Sequence, residues 1–181
     1  GRTARGVGNR VFGDGSSARA GRVRTGFGKR IHWTTGPNRG AGAARNTGLG
    51  MGTGDFIQCF DADDLMHPTK IARCVDRMRD MAAPSLVYTL QKVVSLAPDD
   101  VPARQWNRRT GFEDPIAFML QGDLPTPAPL HRRSTLLELG GFDERWSCAQ
   151  DREFHLRLAL AGVKFQLIPE VLFTIRRRSG S

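Results

Sequence analysis

Apolar residues along this chain fall into short blocks whose spacing changes from one block to the next. RIHWTT (residues 30–35) reads as a short strand, and the turn Gly36-Pro37-Asn38 delivers an Ala-rich, Gly-punctuated helix beginning near Asn38. The apolar run from Phe56 to Phe60 predicts a strand that ends on Asp61, Asp63 and Asp64. His67-Pro68 then predicts a helix start, with Ile71, Cys74, Val75 and Met78 recurring at helical spacing. SLVYTL (85–90) and KVVSL (92–96) read as two strands, residues 97–111 as a polar surface loop, and Pro115 to Gln121 as a helix. Leu124 to Leu130 carries three prolines and is an extended link that cannot be helical. A helix over 149–162 stops at Gly162, and VKFQLIP (163–169) and VLFTIRR (171–177) give two last strands. The expectation is an α/β fold, with residues 1–30, rich in Gly, Arg and Ser, set apart as a partly disordered segment and 31–181 as the domain.

Length and composition narrow the class. The 181 residues suffice for one domain with a sizeable core, and no apolar run approaches the roughly 18 residues of a membrane span. GRTARGVGNR at the start has no apolar stretch of the secretory kind, and the three cysteines, Cys59, Cys74 and Cys148, show no CxxC spacing, so the expectation is a cytoplasmic protein without a zinc site or disulfide framework. A net charge of +9 invites a nucleic-acid partner, but arginines spread from Arg2 to Arg178 and neither zinc-finger spacing nor an aromatic-rich RNP pattern is present, so no specific nucleic acid is expected. The same charge is compatible with peripheral association at the anionic inner face of a membrane, where a lipid-linked acceptor would sit.

The chemistry concentrates in residues 38–64. A strand ending on Asp-x-Asp-Asp puts acids at its C-terminal end, where open α/β sheets hold their ligands. Mg²⁺ is typically bound by one or two carboxylates plus phosphate oxygens, so the pattern implies a nucleoside diphosphate, against the alternative of a solvated acidic turn. Arg45 and Asn46 lie on the preceding helix, either ordering the diphosphate side of a pocket or serving only as surface and capping residues. The glycines of Gly40-Ala-Gly42-Ala-Ala-Arg45 break the dinucleotide fingerprint, no GK(S/T) follows, and Leu65 and Met66 exclude an EF-hand loop.

As a whole, the stretch resembles the inverting family 2 glycosyltransferases of the GT-A fold, whose N-x-G-x-x-x-A-R-N-x-G, G-D-(F/Y)-I and D-A-D-D segments are met by Asn38, Gly40, Ala44, Arg45, Asn46, Gly48, Gly54, Asp55, Phe56, Ile57, Asp61, Ala62, Asp63 and Asp64. A second segment, Arg132-Arg133-Ser134 with Gly140-Gly141-Phe142-Asp143-Glu144, matches the family's pattern ahead of its catalytic acid. The resemblance implies a mixed, Rossmann-like sheet flanked by helices and a nucleotide-sugar donor, a UDP-sugar before others. It further implies a divalent Mg²⁺ or Mn²⁺ at Asp63, nucleotide contacts at Asp61 and, from the GDGSS turn, at Asp14. The general base would be Asp151, with Gln150 in place of the commoner Glu, for a saccharide, lipid-linked or other hydroxyl acceptor of the kind used in cell-wall or polysaccharide biosynthesis. Trp106, Arg108 and Arg109 could touch that acceptor, and Arg178 occupies the place of a family His and could contact the diphosphate. The family's opening strand has no counterpart in GRTARGVGNR and its acceptor-binding helices none after Ser181, so the first βα unit is expected to be missing and both ends truncated. That departure motivates an alternative, a catalytically inactive remnant or binding module.

Overall fold

In the computed structural model, which describes residues 9–13, 31–95, 114–122 and 124–177, the strands fall into two sheets. Strands β1 (Asn9–Gly13) and β2 (Ile31–Thr35) pair in parallel, with Asn9 opposite Ile31 and Gly13 opposite Thr35. β1 thus lies inside the segment that the sequence sets apart from the domain. The larger sheet contains β3 (Phe56–Ile57), β4 (Leu65–Met66), β5 (Ser85–Ser95), β6 (Pro129–Arg132) and β7 (Lys164–Arg177), in the order β3-β6-β5-β7-β4. Only β5 and β7 run parallel; the other neighbours are antiparallel, so the sheet is mixed.

Three strand expectations are corrected. Residues 85–95 form one strand rather than two, as do 164–177. The register between them slips around Leu90: Ile168 faces Thr89 while Val171 faces Leu90, so Pro169, which has no N–H to give a ladder, and Glu170 are absorbed as a bulge instead of ending the strand. The run expected over 56–60 pairs only at Phe56 and Ile57, opposite Arg132 and His131. Toward the start of β6 stands Pro129, and ahead of the strand Pro127, neither of which can donate, and the Gln58 carboxamide gives hydrogen bonds to the carbonyls of Pro127 at 3.1 Å and Cys59 at 2.7 Å.

The helices are α1 (Ala41–Met51), α2 (Lys70–Arg79), α3 (Pro115–Gln121), α4 (Arg133–Glu138) and α5 (Gln150–Leu160). Two begin later than the sequence suggests. Asn38 Oδ1 accepts the Gly40 N–H at 3.0 Å in a turn ahead of α1, and the His67 ring meets Thr69 Oγ1 at 2.9 Å in a turn ahead of α2. α5 stops as expected at Gly162, whose φ of +77° closes the helix end with Gly162 N donating to Ala159 O at 3.0 Å and Val163 N to Leu158 O at 3.1 Å.

Side chains alternate across β5, so the sheet has a core on each face. Val87 joins Cys74, Met78 and Leu130 under α2, whereas Leu86 joins Leu49, Phe118, Leu136, Phe142, Phe154, Leu158 and Phe173 under the other helices. Arg132, at the end of β6, stops α2: its Nη2 donates to the carbonyls of Met78 at 2.8 Å and Met81 at 2.6 Å, while its guanidinium stacks 5.7 Å from the Phe56 ring.

Three buried basic side chains stand close together in this core. Lys70 is fully buried and gives its ammonium protons to Gln58 Oε1 at 2.7 Å and Ala128 O at 3.0 Å, both neutral acceptors, and burial lowers its pKa to about 8. His131 and His155 stack with ring centroids 5.4 Å apart. Burial pushes both imidazoles below 6.5, His155 to about 4, with His155 and Lys70 adding to the effect on His131. The unfolded chain therefore takes up protons on His155 below pH 6.5 that the folded chain refuses until about pH 4, so the histidine contribution to stability is full above pH 6.5 and falls as pH drops through that window. Urea unfolding should show a loss of a few kcal/mol between pH 7.5 and pH 4.5, smaller in His155→Phe; a wild type with flat stability over that range would contradict this.

Candidate functional site

The two acidic segments meet because of how β3 and β6 run. β3 heads toward the end of the sheet at which β6 begins, and Gln58, bonded to Pro127, continues that approach beyond the ladder. β7 ends at the same place, since it parallels β5 and β5 is antiparallel to β6. The residues that follow β3, those that precede β6 and the last residues of β7 thus share one rim, the ligand end of an open α/β sheet.

At that rim residues 61–64 form a turn, with Asp64 N donating to Asp61 O at 3.2 Å. The acids have different partners. Asp61 pairs with Arg45 of α1 at 3.4 Å, and the Arg45 guanidinium lies 5.4 Å from the centre of the Phe142 ring. Asp64 is half-buried and accepts the Arg176 N–H of β7 at 3.1 Å; burial raises its pKa while that N–H pulls the other way. Arg176 Nε also donates to the Asp63 carbonyl. The Asp63 side chain is exposed, and among the described residues nothing pairs with its carboxylate.

Asp151 stands in the first turn of α5. The turn is entered through Ala149 in the left-handed conformation, φ 54° and ψ 28°, the one non-glycine residue with positive φ among those described. Asp151 Oδ2 accepts from Thr126 N at 3.3 Å and Thr126 Oγ1 at 3.4 Å, and Oδ1 accepts from Arg152 N at 2.9 Å. One helical turn on, the buried His155 ring feels the charges of both Asp151 and Arg45, in opposite senses. Neither ring nitrogen completes a hydrogen bond among the described residues, although the Leu124 backbone lies close enough to favour the protonated ring. Arg45, which pairs with Asp61, and Asp151 thus both act on the charge of the His155 ring.

Asn46, expected toward a nucleotide, has another occupation. Its Nδ2 donates to Phe142 O at 2.8 Å and Glu144 Oε1 at 3.0 Å, and its Oδ1 accepts from Phe142 N at 2.8 Å, so it buckles α1 to the 140–144 turn. Gly141 makes that approach possible: its φ is +70°, and a Cβ there would come 2.5 Å from Asn46 Oδ1. Arg157 secures the turn from α5 by donating to Gly141 O at 2.9 Å and Leu139 O at 2.5 Å. Asp14, Arg178, Trp106, Arg108 and Arg109 lie outside the described residues.

No group of three or more His, Cys, Asp or Glu side chains suited to a metal occurs among the described residues. That donor set does not fit an all-protein cage. It fits a cation held by one or two carboxylates, with Asp63 the unengaged one, and completed by phosphate oxygens. No helix among the described residues is long and apolar enough to cross a membrane. Sequence reasoning passed over Thr126 and Arg176. Thr126 is the one polar side chain in Leu124–Leu130, a usable signal, whereas Arg176 is distinguished only by the β4–β7 pairing.

A family model described as Glycosyl transferase family 2 matches residues 11–128. Among curated proteins, the pre-mycofactocin glycosyltransferase of Mycobacterium tuberculosis is 25% identical over 142 residues, covering 75% of this chain and 30% of its own length. An uncharacterized glycosyltransferase, MJ1057 of Methanocaldococcus jannaschii, is 24% identical, covering 77% of this chain and 48% of its own length. The chain thus spans about half or less of the length of these relatives. The crystal structure of S. aureus TarS residues 1–349 in complex with UDP-GlcNAc superposes with a TM-score of 0.72 over 95% of this chain and 50% of that one, at 15% identity. The fold is accordingly the GT-A, Rossmann-like α/β fold.

The Asn46 buckle makes a prediction of its own. Asn46→Ala leaves the Phe142 N–H and carbonyl unpaired and should lower stability to urea by about 1–3 kcal/mol. Gly141→Ala should cost at least as much, through its left-handed backbone and the contact with Asn46. Unchanged unfolding midpoints in both variants would show that the turn holds without the buckle.

Proposed function

The chain belongs to glycosyltransferase family 2, and from that premise we propose that it transfers a sugar from a nucleotide-diphosphate donor to an acceptor hydroxyl with inversion at the anomeric carbon. The observation that carries this reading is the convergence of residues 61–64 and Asp151 on one rim of the sheet. Asp151 accepts the acceptor's hydroxyl proton as that oxygen attacks the anomeric carbon. The bond from that carbon to the diphosphate breaks on the opposite side, and its electron pair leaves with the nucleoside diphosphate. A base placed in this way contributes roughly 10² to 10⁴ in rate.

The donor side belongs to the 61–64 turn. Asp61 spends one Arg45 nitrogen, while Arg45 Nη1 has no acceptor among the described residues and suits a phosphate or nucleotide oxygen. Asp63 would hold Mg²⁺ or Mn²⁺, which when bound offsets charge on the departing diphosphate. A uridine diphosphate donor is favoured by TarS, whose structures contain UDP-GlcNAc and UDP. A saccharide or lipid-linked acceptor at an anionic surface would suit the net charge of +9.

Calorimetry with UDP and Mn²⁺ tests the donor half: saturable heat is expected, weakened at least tenfold by Asp63→Ala and by EDTA. An absence of saturable heat would favour the inactive remnant or binding module. Asp151→Asn should lower transfer by roughly 10² or more while leaving UDP binding in place, and full transfer by that variant would remove Asp151 as the base.

A further inference from the structure

We propose that Thr126 is the positioning residue for Asp151, a role that rests on the reading of Asp151 as general base. Thr126 is 5% exposed and sits between Pro125 and Pro127, whose rings fix the backbone on either side. The segment is fastened from three directions. Ala128 N donates to Pro125 O at 2.9 Å, Gln58 Nε2 to Pro127 O at 3.1 Å and Lys70 Nζ to Ala128 O at 3.0 Å. From this rigid turn Thr126 presents two donors, its N–H and its hydroxyl, to the same oxygen, Oδ2, at 3.3 and 3.4 Å. The N–H of Arg152 takes the other oxygen at 2.9 Å, so both ends of the carboxylate have a fixed direction.

Three features separate this arrangement from ordinary helix capping. First, two of the donors come from a segment remote in sequence that belongs to the rim, not from the helix itself. Second, the backbone is bent to suit. Ala149 holds a left-handed conformation that non-glycine residues rarely adopt, two positions ahead of the acid. Third, Asp151 is held by uncharged donors, whereas Asp61 on the same rim is held by the Arg45 guanidinium. Neutral donors aim a carboxylate without pairing it to a cation, the arrangement a proton acceptor needs. Thr126 acts through Asp151 and need not touch the substrate.

The test uses Thr126→Val, which keeps the branched shape and loses the hydroxyl, and Thr126→Ser, which keeps the hydroxyl. With UDP-GlcNAc as donor probe and water as acceptor, Thr126→Val should lower kcat about tenfold while KM for the donor and the affinity for UDP stay unchanged, and Thr126→Ser should stay within about twofold of wild type. In an Asp151→Asn background Thr126→Val should have no further effect. The side-chain carboxyl ¹³C resonance of Asp151 should move in Thr126→Val and stay in place in Thr126→Ser, a signature read whether or not the probe is turned over. The proposal is overturned by a Thr126→Val protein with wild-type kcat or an unmoved resonance, or by an equal loss in the Asp151→Asn background. A wild-type rate in Asp151→Asn would overturn the base assignment together with it; a slow Asp151→Asn beside a fully active Thr126→Val would overturn Thr126 alone.

Discussion

Two acidic segments far apart in sequence share one rim because the β3–β6 ladder is cut short and then continued by side chains. Two residue pairs set the direction, and the ladder ends after Ile57. Gln58 then serves three neighbours, receiving the Lys70 ammonium and donating to the Cys59 and Pro127 carbonyls. That small web fixes the distance between the acidic turn and the Leu124–Ala128 segment, and Asp151 is hung from the latter through Thr126. Its cost is a buried ammonium without a carboxylate. Charged hydrogen bonds to two well-placed acceptors offset part of the desolvation, and the remainder shows as the lowered Lys70 pKa.

Magnitudes decide which contacts serve stability and which serve the site. The Arg45–Asp61 pair involves an aspartate side chain that is 47% exposed, so it contributes at most about 1 kcal/mol to folding. Meanwhile Arg45 Nη1 is buried without a partner among the described residues, which costs more than an exposed pair returns. An arginine kept on such terms is explained by what it can bind. Asn46 lies on the other side of that division. Its three hydrogen bonds to Phe142 and Glu144, with Arg157 behind them, fasten that turn between α1 and α5. The motif residues adjacent in sequence on α1 thus divide the labour, one facing the acids and the other fastening the loop.

Much of this was legible in the residues. The 3.6-residue period of Ile71, Cys74, Val75 and Met78 located α2 and its buried face, and the two motif clusters named the family and placed the acids at a strand end. What failed to show did so for tertiary reasons. Pro169 reads as a strand terminator, yet β5 supplies a partner on both sides of it and the ladder steps over it. Phe56 to Phe60 reads as a full strand, yet the ladder ends after Ile57 and the Gln58 side chain bonds across to Pro127 instead. β1 was hidden in a Gly- and Arg-rich segment because its pattern is weak and only the parallel pairing with β2 identifies it. Asn46 looked like a ligand contact because its partner turn is distant in sequence. Thr126 was overlooked because its role exists only once Asp151 is folded against it.

The account stands on the donor turn and the base acting in one crevice, and paramagnetic relaxation reports that proximity directly. Mn²⁺ added with UDP to ¹⁵N-labelled protein should broaden the amide resonances of residues 61–64 and, with them, those of Thr126 and Asp151, and Asp63→Ala should abolish both effects. Broadening confined to residues 61–64, with Thr126 and Asp151 sharp, would place the two acidic segments in separate environments and contradict the account.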